Sequence, residues 1–299
     1  MLLPAASGAQ PPASNGETTT QAVPAATAVQ SAVEDDEDDA VLDPAEPDVV
    51  IVNLPTTLRF PKYGSNFRMT HRFAGNLRQG SFAENLGNLF GLDQGAIIGL
   101  EFRMSVMRNL QAAIFRTNFD KTIQLYAKYD AVRQGDSMPV SLSALVSIEG
   151  TDNFRTKYAP AVGGVISWKS GTRLAAYAIP MWVGHTNASL DPIHHDHDHG
   201  GGEAEAPVPA HERLGTFFVG LGARARLTPT VYVVGELTPR VSGYAPDEVE
   251  YGFGIEKRVG GHAFAVTFTN TFATTFAQLA RGGTANTLYL GFNLGRKFF

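Results

Sequence analysis

A chain of 299 residues can form one large domain or two ordinary ones, and its hydrophobic fraction of 43% is that of an unremarkable soluble globule. The absence of cysteine excludes a disulfide framework and a thiolate metal site. The net charge of -5 hides a division: residues 1–58 hold ten of the 29 acidic residues and none of the 24 basic ones, and the scattered, nearly balanced charge of the rest leaves no nucleic-acid footprint.

In chain order, Met1 to Gln10 ends in Ser7-Gly8-Ala9, the small-residue pattern of a secretory cleavage site, without the charged start and apolar core of a whole signal peptide. It reads as a signal-peptide remnant or a plain unstructured end. Residues 11–47 are rich in Ala, Pro, Thr and Ser and carry the run Glu34 to Asp39. Such a segment buries too little apolar surface to offset chain entropy, so residues 1–48 are expected to be a disordered acidic tail. Val49 to Asn53 is expected as a short strand or a plug-like segment at the mouth of a barrel.

From Asn66 the period becomes two, which sends successive side chains to opposite faces of a strand. Phe67, Met69, His71 and Phe73 alternate with Asn66, Arg68, Thr70 and Arg72. The pattern returns at Ala96 to Ser105, more weakly at Leu110 to Thr117, then at Thr122 to Ala131 and Val140 to Glu149. Val162 to Lys169 and Leu174 to Val183 form a hairpin around Ser170-Gly171-Thr172, with apolar residues on both faces. Further strands follow at Phe217 to Arg226, Val231 to Arg240, Val249 to Glu256, Phe264 to Thr269 and Thr287 to Phe299. That is roughly 12 segments of the length a tilted membrane strand requires, while the longest nearly uncharged apolar stretch, Leu174 to Gly184, is far too short for a membrane helix.

Connections alternate between tight turns and long loops, with Asn118 to Lys121 the exception. A meander barrel shows that alternation, whereas the long connections of a soluble sandwich need not fall on every second turn. The expected fold is all-β: an antiparallel up-and-down transmembrane β-barrel over residues 49–299, in contact with the lipid bilayer. Its inward faces would carry Glu101, Arg103, Lys128, Asp130, Arg224, Arg226, Glu236 and Arg240, which either line a narrow lumen or pair and close it. A narrow or occluded channel for small solutes is the leading expectation, and a non-conducting anchoring barrel the alternative.

Two other chemistries have residues to carry them. His194, His195, His197 and His199, interleaved with Asp196 and Asp198, suit weak binding of zinc or another divalent transition metal in a flexible outer loop. The bland reading is a solvated loop, and no other cofactor is expected. A hydrolase is the remote alternative, because His71, His185 and His262 sit in no Ser/His pattern and no Gly-x-Ser-x-Gly elbow is present.

The last stretch, with Leu288, Leu290, Phe292 and Leu294 alternating and Phe298-Phe299 at its end, resembles the carboxyl-terminal strand of bacterial outer-membrane barrels. That resemblance implies recognition by the barrel-insertion machinery. His71-Arg72-Phe73, Leu89-Phe90-Gly91-Leu92-Asp93 and Leu290-Gly291-Phe292-Asn293 with Arg296 are similar to stretches of a bacterial β-barrel family catalogued as a domain of unknown function, over about residues 60–299. It implies a barrel in the outer membrane, here with the tail in the periplasm, and brings no catalytic residue.

Overall fold

The computed structural model describes residues 42–135, 137–186, 215–243 and 248–299. Alternating apolar and polar residues build twelve strands: β1 (Ser65–Asn76), β2 (Ala96–Met107), β3 (Leu110–Thr117), β4 (Ile123–Val132), β5 (Ser141–Gly150), β6 (Thr156–Ser170), β7 (Leu174–Val183), β8 (Thr216–Thr228), β9 (Val231–Thr238), β10 (Glu250–Val259), β11 (His262–Thr269) and β12 (Tyr289–Phe298). Pro239 has no N–H for the ladder, so β9 breaks there and resumes over Arg240–Ser242, still paired with β8. Each strand pairs antiparallel with its sequence neighbours, and β1 pairs with β12 from Ser65↔Phe298 onward, which closes the sheet. Closure leaves no edge, as a membrane-spanning sheet requires.

The outer surface explains the apolar half of the pattern. Phe102, Ile114, Val146, Val162, Phe253, Ile255 and Val266 are exposed on it, Ile255 at 59%. Trp168 lies near the tight-turn end of β6 and Trp182 near the long-loop end of β7, both exposed, like the aromatic girdles at the two membrane interfaces. β6 and β7 read as apolar on both faces because both faces are covered. Val162, Ile166 and Trp182 point outward, while Ala159, Ala161, Val165, Ala175, Ile179 and Met181 are buried inside the barrel.

The interior is packed from both ends. Residues 42–60 enter from the tight-turn end as a hairpin: Val50 bridges Pro55, Ile51 N donates to Leu54 O at 2.9 Å, and Thr56 N donates to Val49 O at 3.0 Å. Val49 to Asn53, expected at the mouth, therefore lies deeper, with its tip beside mid-strand residues of β8, β9 and β12. Packing begins ahead of Val49, since Ala45, Glu46 and Asp48 are already buried. From the long-loop end the β11–β12 connection folds inward and buries all of α1 (Phe276–Ala280). Ile51, Val52 and Leu54 share one apolar cluster with Phe276, Ala277 and Leu279.

The Leu89 to Asp93 stretch has a structural role in the β1–β2 loop. Gly91, at φ +89°, lies so close to the Gly75 backbone that neither position has room for a Cβ. On the tight-turn side, Gly171 at φ +53° supplies the left-handed conformation that the β6–β7 turn needs.

A charge at mid-strand on the lipid face should be costly and one at a strand end mild. Ile255→Arg is expected to lose about 2–4 kcal/mol, and Met107→Arg, beside the β2–β3 turn, about 0–1 kcal/mol. Reversible folding into lipid vesicles checks this; equal losses would contradict the membrane placement of these strands.

Candidate functional site

The plug tip is held by side chains of three strands of the wall. Alternation turns Glu236 of β9 inward, where its carboxylate accepts from three consecutive backbone N–H groups: Val52 at 2.9 Å, Asn53 at 2.8 Å and Leu54 at 3.0 Å. Arg72 of β1 donates from Nη2 to Asn53 Oδ1 and from Nη1 to Asn293 Oδ1, each at 2.9 Å. Asn293 Nδ2 in turn donates to Val52 O at 2.7 Å. The aliphatic side chains of the tip enter a slot where β8 has glycines. A Cβ at Gly220 would lie 2.8 Å from Leu54 Cδ1, and one at Gly222 would overlap Ile51 Cδ1.

The stem of the hairpin is held through its backbone carbonyls. Arg224 Nη2 donates to Val50 O at 2.7 Å and to Glu256 Oε2 at 2.9 Å. Lys128 Nζ donates to Thr56 O at 3.0 Å and Leu58 O at 2.9 Å, with Asp130 Oδ1 at 3.0 Å. Lys297 Nζ meets Asp48 Oδ1 at 3.0 Å, and Lys169 Nζ meets Asp43 Oδ2 at 2.6 Å. Beside the plug, Glu101 bridges Arg68 at 2.7 Å and Arg103 at 3.0 Å, and Arg103 also donates to the Tyr126 hydroxyl. At the other end Glu149 of β5 accepts from Thr275 Oγ1 at 2.9 Å and Ala277 N at 3.1 Å, which fixes the inward loop.

Side chains lining water would be exposed, yet Lys128 and Arg224 are 0% exposed and Glu236 only 4%. The lumen is occluded at this level. Burial pushes the Glu46 carboxyl of the plug above the ordinary range, with Lys169 and Lys128 only partly offsetting it. Burial acts on Asp48 in the same sense, but Lys297 and Arg224 outweigh it and hold its carboxyl below the ordinary range. Asp48 thus stabilises the seated plug above the ordinary Asp pKa of about 3.9, a contribution lost as pH falls through its lower folded value. Glu46 has the opposite sign: its charged form opposes seating, and acid relieves that cost.

Of the residues expected inside, Glu101, Arg103, Lys128, Asp130, Arg224 and Glu236 form the buried belt. Arg226 lies lower, donating to Pro229 O at 3.1 Å in the β8–β9 turn, and Arg240 lies at the opposite mouth, donating to Glu248 O at 2.6 Å. Arg68, Arg72, Asn293 and Lys297, which are not among the residues expected to line the lumen, are buried with them. The period of two on β1 and β12 already carried that signal. His194, His195, His197 and His199 lie outside the described residues, and among the described residues no cluster of His, Cys, Asp or Glu is arranged to hold a metal ion.

The family described as Membrane bound beta barrel domain (DUF5777) matches residues 48–298. The chain belongs to that family. Its members are barrels of unknown function, and the match takes in most of the plug as well as every strand. No curated protein is detectably similar in sequence. Among solved structures, the KdgM porin in complex with disordered oligogalacturonate is 7% identical, with 79% of this chain and 99% of that one covered at a TM-score of 0.47. Outer membrane phospholipase A from Escherichia coli is 6% identical, with 87% and 99% covered at 0.43. The Acinetobacter baumannii outer membrane protein Omp33 is 9% identical, with 79% and 99% covered at 0.40.

In this DUF5777 barrel Glu236→Gln should loosen the plug tip specifically, since hydrogen bonds to a charged acceptor contribute roughly 1.5–3 kcal/mol. Hydrogen exchange of the Val52, Asn53 and Leu54 amides should quicken by about tenfold or more while the strand amides keep their protection. Unchanged tip amides would contradict the role given to Glu236.

Proposed function

We propose that the protein is an outer-membrane channel for small solutes, closed in the present conformation by its own residues 42–60. The observation that carries this reading is how the plug is held. It is bound through its backbone by polar and charged side chains from several strands of the wall, so removing it exposes a charged, wettable surface. Charges of both signs on such a surface select among permeating solutes. The carboxyl-terminal strand serves the insertion machinery, and the tight-turn end, where the plug enters, faces the periplasm together with the acidic tail. Among the described residues, the histidines form no Ser–His pair of the kind a hydrolase needs. His71 stacks on Phe292 on the outer face, His185 Nδ1 meets Tyr158 O at 3.0 Å, and His262 packs beside Phe264.

Planar-bilayer recording tests the channel. The intact protein is expected to be silent or nearly so, and a variant lacking residues 42–60 to give stepwise, salt-dependent currents. If that variant folds and stays silent, the non-conducting anchoring barrel is the better reading.

On composition alone, His194, His195, His197 and His199 would collect divalent transition metal at the outer mouth, with affinity falling as pH drops through about 6.5. Zinc titration of the intact protein and of a variant lacking residues 194–199 should differ in micromolar sites. Equal uptake by the two would remove the proposal.

A further inference from the structure

The plug tip is bound in the way a ligand is bound. Three chemically different demands converge on four residues, Ile51 to Leu54. Glu236 takes N–H donors, Arg72 and Asn293 engage oxygen acceptors, and the glycine slot on β8 takes two aliphatic side chains. A second carboxylate, Glu250, is buried on the adjacent strand. Porin interiors are polar, but here the wall beside the slot is apolar: Val165, Ala175, Ile179, Met181 and Phe218 are fully buried along β6 to β8. A carboxylate beside an aliphatic slot, since Glu236 pairs in register with Gly222, together with a guanidinium from β1, matches a small molecule with an amino group, a carbonyl or carboxylate, and an aliphatic side chain.

We infer that the tip stands in for the transported solute, and that the solute class is short peptides with aliphatic side chains. This rests on the channel reading and names its substrate. When the tip leaves, the peptide's ammonium or amide N–H groups replace those of Val52 to Leu54 on Glu236. Its carbonyl or carboxylate oxygens take the place of Asn53 Oδ1 and Val52 O on Arg72 and Asn293. Its side chains fill the positions of Ile51 and Leu54. An apolar solute without N–H donors leaves Glu236 buried and unpaired, and a sugar leaves the slot empty; both should be discriminated against.

The test uses the full chain in detergent and in vesicles. Ile51→Asp with Leu54→Asp expels the tip from the slot without touching the wall. A second variant, with residues 51–54 replaced by Gly-Ser-Gly-Ser, serves if the first does not fold. The probe is the synthetic tetrapeptide Ile-Val-Asn-Leu, with Ser-Ser-Asn-Ser as its polar control. The released variants should bind the probe at least tenfold more tightly than the control and at least tenfold more tightly than the intact protein does. Adding Glu236→Gln should remove most of that gain, and adding Gly220→Val should abolish it by filling the slot.

Equal binding of probe and control, or no binding by a folded released variant, overturns the inference. Potassium chloride conductance is measured on the same samples. A released pore that conducts without preferring the probe ends the peptide assignment and leaves the channel standing. Probe binding without conductance sustains the site and removes the channel.

Discussion

Three adjacent backbone N–H groups pointing at one carboxylate set the terms for the interior of this barrel. A hairpin pushed into a lumen away from water must satisfy every amide it buries, since each orphaned donor costs about 1–3 kcal/mol. The tight turn at Ile51 to Leu54 leaves the N–H groups of Val52, Asn53 and Leu54 converging, and only an inward carboxylate at the height of Glu236 can take all three. The rest of the belt follows the same logic. Arg224 and Lys128 answer carbonyls, and Arg72 and Asn293 answer the tip, so the wall acts as the missing half of the plug's hydrogen-bonding.

The interior is consequently two-sided. Strands β6 and β7, with Phe218, Gly220 and Gly222 of β8, present mainly small and apolar residues, against which Ile51, Leu54, Phe276 and Leu279 pack as in a soluble core. The rest of the wall presents Arg224, Glu236, Glu256, Asn293, Arg72 and Lys128. A hairpin suits this division because its side chains and its backbone leave in different directions. The charges on the polar side are paired among themselves as well as to the plug, as in Arg68–Glu101–Arg103 and Arg224–Glu256. An ion buried without a partner would be strongly destabilising.

Much of the barrel was legible because its physics is local. A period of two, turn residues and loop lengths are written along the chain, and the twelve strands fall where they predict, with shifts of a few residues at the ends. β6 is the largest departure. It begins at Thr156 rather than near Val162, because Pro160 and the short side chain of Ala161 obscure an alternation that burial makes plain. The inward direction of Glu101, Lys128 and Glu236 was equally local. What those residues bind was not. That Arg224 meets a carbonyl 174 positions earlier, or that Glu149 secures a loop 126 positions later, depends on closure of the barrel and leaves no periodic trace. The plug was hardest to see, since an acidic, Pro-rich approach has the composition of a solvated tail and only Val49 to Leu54 breaks it.

Only Pro61 to Gly64 separate Phe60, at the base of the plug, from Ser65, where β1 begins, and Phe60 rests against the Phe299 ring at 5.4 Å. A hairpin on so short a tether does not diffuse away when it leaves the lumen. Its return is a unimolecular event, with an effective concentration in the millimolar range that short linkers provide. Anything that takes its place from solution competes against that local concentration, whatever its own affinity. Lasting displacement then requires either a solute abundant on the scale of the tether or a force applied to the chain ahead of Leu42.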